Sequence, residues 1–84
     1  MTVAREFRDI PRWVAEGYVA SLPGSRGVVS GFEGEGWSAE IEDLPRETVG
    51  SIVFTRIRIR VSGTKDAVEW VWDQLAPLFY RGGA

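Results

Sequence analysis

The chain reads as an α+β protein, an antiparallel sheet with two helices on one face. Three observations predict this. Residues Val53-Phe54-Thr55-Arg56-Ile57-Arg58-Ile59-Arg60-Val61 alternate with period two, the signature of a strand with one buried and one wet face. Val68, Val71, Trp72, Leu75, Leu78 and Phe79 fall on a single helical stripe. Glu33-Gly34-Glu35-Gly36 separates two β-prone runs and reads as a tight hairpin in which glycine supplies a positive φ.

The elements follow in order. Residues 2–7 form a first short strand, with Val3, Arg5 and Phe7 on one face. Asp9-Ile10-Pro11 is a helix-start signal, because proline is tolerated in the first turn and its predecessor prefers an extended backbone. Trp13, Val14, Gly17 and Tyr18 then keep helical spacing, and Leu22-Pro23-Gly24 ends the helix. Val28 to Glu33 and Trp37 to Leu44 read as two strands. Leu44-Pro45-Arg46-Glu47 reads as the next turn, followed by one long strand from Val49 to Val61 with a bend at Gly50. Thr64 is an N-cap candidate for the last helix. Pro77 is expected to kink or end that helix, since it removes a hydrogen bond, and Arg81-Gly82-Gly83 resembles a helix C-terminus.

Composition bounds the function. Eighty-four residues predict one domain over 1–84. Four tryptophans and four phenylalanines thicken an otherwise thin core. A net charge of −2 gives no overall pull on nucleic acid. With no cysteine there is no disulfide, thiol nucleophile or thiolate metal site, and with no histidine the commonest metal ligand and general base are missing. No signal peptide fits and no apolar run approaches the ~20 residues of a membrane helix, so the expectation is a cytoplasmic protein with no membrane role.

No motif fixes a chemistry. Glu33, Glu35, Glu40, Glu42 and Asp43 sit on a hairpin and its outer face without a converging base or nucleophile. Glu33-Gly34-Glu35 lacks the ligand count of a calcium loop. Gly34-x-Gly36 is a turn rather than a phosphate loop, because no helix follows it. The serines have no histidine partner. Trp37 and Trp72 either line a pocket between sheet and long helix or fill it. The expectation is a protein that is not an enzyme and holds no cofactor or metal.

The quoted pattern has a family likeness. Phe7…Pro11-x-Trp13…Tyr18, Gly36, Val49-Gly50-Ser51-Ile52, Arg58, Val61-x-Gly63, a tryptophan-bearing last helix and Arg81-Gly82-Gly83 together resemble the C-terminal domain, of uncharacterised function, in proteins related to the small subunit of molybdopterin synthase. The resemblance spans nearly the whole chain. It implies a TATA-binding-protein-like, helix-grip fold and no established activity. In those proteins the domain follows a ubiquitin-like sulfur-carrier domain. This chain shows none, so any role in molybdopterin synthesis is expected to be by association. Such carriers end in Gly-Gly; here Ala84 follows Gly83, and the pair is expected to be a helix cap rather than a carrier tail.

Three features nominate a surface. If Val53, Ile57, Ile59 and Val61 face the helices, Arg56, Arg58 and Arg60 point away at roughly 6.6–6.8 Å spacing, where they either stay solvated and paired or hold an anion or acidic partner. A hairpin folded around Pro45-Arg46-Glu47 puts Glu40 and Glu42 opposite Ile52 and Phe54, leaving Arg58 and Arg60 to Glu6, Glu33 or solvent. Ile52 and Phe54 share the arginine face. Trp70 falls off the last helix's stripe, so it either folds over a loop or meets a partner. The candidate interface or anion site is therefore Ile52, Phe54, Arg56, Arg58, Arg60 and Trp70. The expected partner is a protein, with a homodimer burying the open sheet face as its simplest form; the rival reading is a small-ligand or anion-binding domain.

Overall fold

A computed structural model describes residues 1–80. The order is β1 (Thr2–Arg8), α1 (Arg12–Ala20), β2 (Arg26–Val28), β3 (Gly31–Gly34), β4 (Trp37–Val49), β5 (Ile52–Gly63) and α2 (Lys65–Tyr80). The five strands form one antiparallel sheet in the order β1-β5-β4-β3-β2. The long alternating strand β5 is thus central, between β1 and β4, which explains its fully buried Ile57, Ile59 and Val61.

Both helices cover one face. From α1 and the residues after it come Ala15, Val19 and Leu22; from α2 come Val68, Val71, Trp72 and Leu75; and beneath them lie Phe7, Trp37, Ala39, Ile41, Ile57, Ile59 and Val61 of the sheet. Trp37 and Trp72 are buried and fill the space between sheet and helix. Phe7 stacks on Phe79 at 4.3 Å, and Tyr18 meets Phe79 edge-on at 5.2 Å, which ties β1 and both helices together. Thr64 caps α2 as expected, its Oγ1 accepting from the Ala67 N–H at 3.2 Å.

Several expectations change. Val28 to Glu33 is not one strand: Val28 pairs with Gly31, so Val29-Ser30 is a two-residue turn between β2 and β3. Pro45 does not turn the chain. β4 runs on to Val49, and Pro45-Arg46 form a bulge opposite Thr55, between the pairs Leu44↔Arg56 and Glu47↔Phe54. A bulge is where a central strand tolerates a residue with no N–H. The reversal comes at Gly50-Ser51, with Val49 opposite Ile52 and Gly50 at φ 61, the geometry a tight hairpin demands of its first central residue. β5 therefore starts at Ile52 rather than Val49.

The helices differ in detail as well. Trp13 is 74% exposed; the inward face of α1 is set by Ala15 and Val19, one position round from the Trp13-based stripe. Pro77 does not end α2, which continues to Tyr80, because the buried Leu75 and the packed Leu78 and Phe79 hold the last turns on the core. The expected cap at Arg81-Gly82-Gly83 lies outside the described residues.

Candidate interaction face

The sheet's second face carries no helix, and period-two alternation decides what it shows. β5 contributes Ile52, Phe54, Arg56, Arg58 and Arg60; β4 contributes Glu40, Glu42, Glu47 and Val49; β1 contributes Glu6 and Arg8. The register of β4 overturns the pairing expected from a turn at Pro45. Glu42 stands opposite Arg58 and Glu40 opposite Arg60, while Glu6 flanks Arg58 from β1.

The result is a chain of ion pairs. Arg8 meets Glu47 at 2.5 Å, and Glu47 lies 4.0 Å from Arg56. Arg56 donates to Glu6 at 2.9 Å, Arg58 donates to Glu6 at 3.0 Å and to Glu42 at 3.1 Å. Arg60 lies 3.8 Å from Glu40. Hydrogen bonds from Arg58 first, then Arg56, hold the Glu6 carboxyl below its usual pKa. Glu33, the other carboxylate considered for the arginine row, instead takes Arg26 of β2. Each pair is at least partly exposed, so solvent screening leaves each with little stabilising effect. Chemically, the row is a balanced lattice of guanidinium and carboxylate rather than an unpaired cationic cradle.

The β4–β5 hairpin ends in an apolar tip. Val49 and Ile52 face each other on the open face at 52% and 57% exposure, and Val53 is 53% exposed on the other side. Val53 shares the helix-side parity of Ile57, but the helices do not reach it. Phe54 is half-buried, with the Arg8 guanidinium 5.3 Å from its ring centre.

The structure thus brings Ile52, Phe54, Arg56, Arg58 and Arg60 onto one face and separates Trp70 from them. Trp70 is half-buried on the helix side, over a groove shared with Pro23, Gly24, Gly36 and Trp37. Val49 and Trp13 are exposed apolar residues that sequence reasoning did not nominate. A signal for Val49 existed: apolar-Gly-Ser-apolar is a two-residue hairpin pattern. Trp13 was hidden by its own hydrophobicity, although Ala15, Val19 and Leu22 at i, i+4 and i+7 marked the true face.

Among the described residues, no group of three acidic, histidine or cysteine side chains converges on a point that could hold a metal, and no helix is long and apolar enough to cross a membrane. No curated protein matches the chain. A family model, described as archaeal MoaD-like protein, matches residues 3–84. That match agrees with the likeness carried by Pro11, Trp13, Val49-Gly50-Ser51-Ile52 and Arg58 to proteins related to the molybdopterin synthase small subunit. The chain belongs to the archaeal MoaD-like protein family.

Proposed function

We propose that this small MoaD-like protein is a non-catalytic interaction module, an accessory of molybdopterin synthesis that docks a protein partner through the open face of its sheet. The observation that carries the reading is the exposed Val49–Ile52 pair beside the ion-paired face. An apolar anchor ringed by polar groups is the usual anatomy of a docking surface. In this reading the protein is cytoplasmic, its fold is of the TATA-binding-protein-like, helix-grip type, and a second copy is one admissible partner.

The anion-binding alternative ranks lower on physical grounds. Arg56, Arg58 and Arg60 each face a glutamate, so an anion would have to displace Glu6, Glu40, Glu42 or Glu47. Thermal shift against phosphate, sulfate and nucleotides separates the two. No stabilisation agrees with the interaction reading; stabilisation that disappears in Arg58→Ala replaces it.

The direct test is affinity capture from the native host with tagged wild type and Ile52→Glu. Ile52 is exposed, so the variant should fold. Proteins of sulfur transfer or molybdopterin synthesis are expected with wild type and absent with the variant. Recovery of none of them with wild type rejects the proposal, and sedimentation of both forms reports whether a second copy is the partner.

A further inference from the structure

Trp70 is not absorbed by the open face. It forms one wall of a groove of about 790 Å³ on the helix side, bounded by Pro23 and Gly24 after α1, Glu35 and Gly36 in the β3–β4 turn, and Thr64, Asp66 and Ala67 at the start of α2. The volume lies within the ~300–1,000 Å³ of ordinary binding pockets. Its lining includes two carboxylates and no basic side chain.

The charges divide unequally. Asp66 sits in the first turn of α2, where it offsets the positive end of the helix dipole. Glu35 has no such role, and among the described residues neither carboxylate has an ion-pair partner. Arg26, the cation nearest to Glu35 in sequence, shares an adjoining hollow with it but pairs with Glu33, and Lys65, next to Asp66, makes no ion pair among the described residues and does not line the groove. Trp70 packs partly against the core but has no ring or cation contact among the described residues, whereas Trp72 has the Arg5 guanidinium 4.8 Å from its ring centre and Phe7 at 6.3 Å.

We infer that this groove receives an arginine side chain from the surface of a partner protein, its guanidinium stacked on Trp70 and paired with Glu35 and its aliphatic stem against Pro23 and Ala67. A planar cation suits both contacts: it stacks on an indole face and meets a carboxylate in the same plane. The groove lies on the opposite side of the sheet from Ile52, so the inference stands or falls independently of the open-face reading.

The test is titration of the ¹⁵N-labelled full chain with a capped arginine tripeptide, alongside the same peptide carrying neutral citrulline. Saturable shifts are expected at the Trp70 indole and around Gly24, Glu35, Gly36 and Ala67, with arginine only, and weaker in high salt. Trp70→Leu and Glu35→Gln should each weaken binding by about threefold or more. Glu35 is exposed in a turn, so Glu35→Gln remains a usable test even if Trp70→Leu disturbs packing. Equal binding of the citrulline peptide, shifts centred on Glu6, Glu40 and Glu42 instead, or affinity unchanged by Glu35→Gln would overturn it.

Discussion

Gly63 closes β5 at φ 152, and a Cβ there would stand 2.0 Å from the Gly36 carbonyl oxygen and 2.8 Å from the Trp37 Cα. Both obstacles are backbone, so neither can swing aside. Gly63→Ala should cost roughly 2 kcal/mol or more, read as a lowered urea midpoint with an unchanged slope. Glu6 supplies a second residue-scale expectation. Its folded pKa lies below the ordinary carboxylate value because Arg58 and Arg56 hydrogen-bond to it. The unfolded state therefore binds the proton first as pH falls. The stabilisation is present above the unfolded carboxylate pKa and is lost as pH drops through the folded one. Urea midpoints across that acid range should decline more steeply for wild type than for Glu6→Gln, and parallel profiles would refute the role of this pair.

At the scale of elements, α2 holds Pro77 inside its last turns, where the residue four positions earlier, Asp73, keeps a carbonyl with no helical donor. Pro77→Ala restores that bond and should stabilise the protein, by up to ~3 kcal/mol; a lower melting temperature would mean that the Pro77 ring packs rather than strains. The same proline logic shows what was legible in the sequence. The alternation Ile57-Arg58-Ile59-Arg60-Val61 gave the buried and open faces correctly. Pro45 suggested a turn because proline rarely sits in a central strand, and the bulge that accommodates it leaves no local signature. The resulting register error was even, so Glu40 and Glu42 stayed on the right face while gaining the wrong partners. The arginine row was therefore visible from periodicity alone, but its ion pairs were not, since they depend on where the hairpin folds. Trp70 lies apart from the row because α2 covers the opposite face of the sheet, a choice of face that helical periodicity does not encode.

The whole molecule is longer than its chain length requires. Its radius of gyration is 13.1 Å with extents of 43 × 29 × 21 Å, against about 12 Å for a compact chain of this size. The excess is consistent with the β4–β5 hairpin, whose exposed Val49, Ile52 and Val53 no helix covers. Stability should divide along the same line. Ile57, Ile59 and Val61 lie beneath the helix layer, with α2 packed on their strand, and have essentially no exposure, so their amides should exchange with solvent only through global opening. Residues 46–55 have the hairpin's own hydrogen bonds and few buried contacts, so they should exchange through cheaper local opening. Hydrogen-exchange mass spectrometry at neutral pH should show the hairpin tip labelling well before the 57–61 segment, and partner binding to the open face should slow the tip selectively. Uniform protection along β5 would mean that the arm is as firmly held as the core, and that the hairpin tip does not open apart from it.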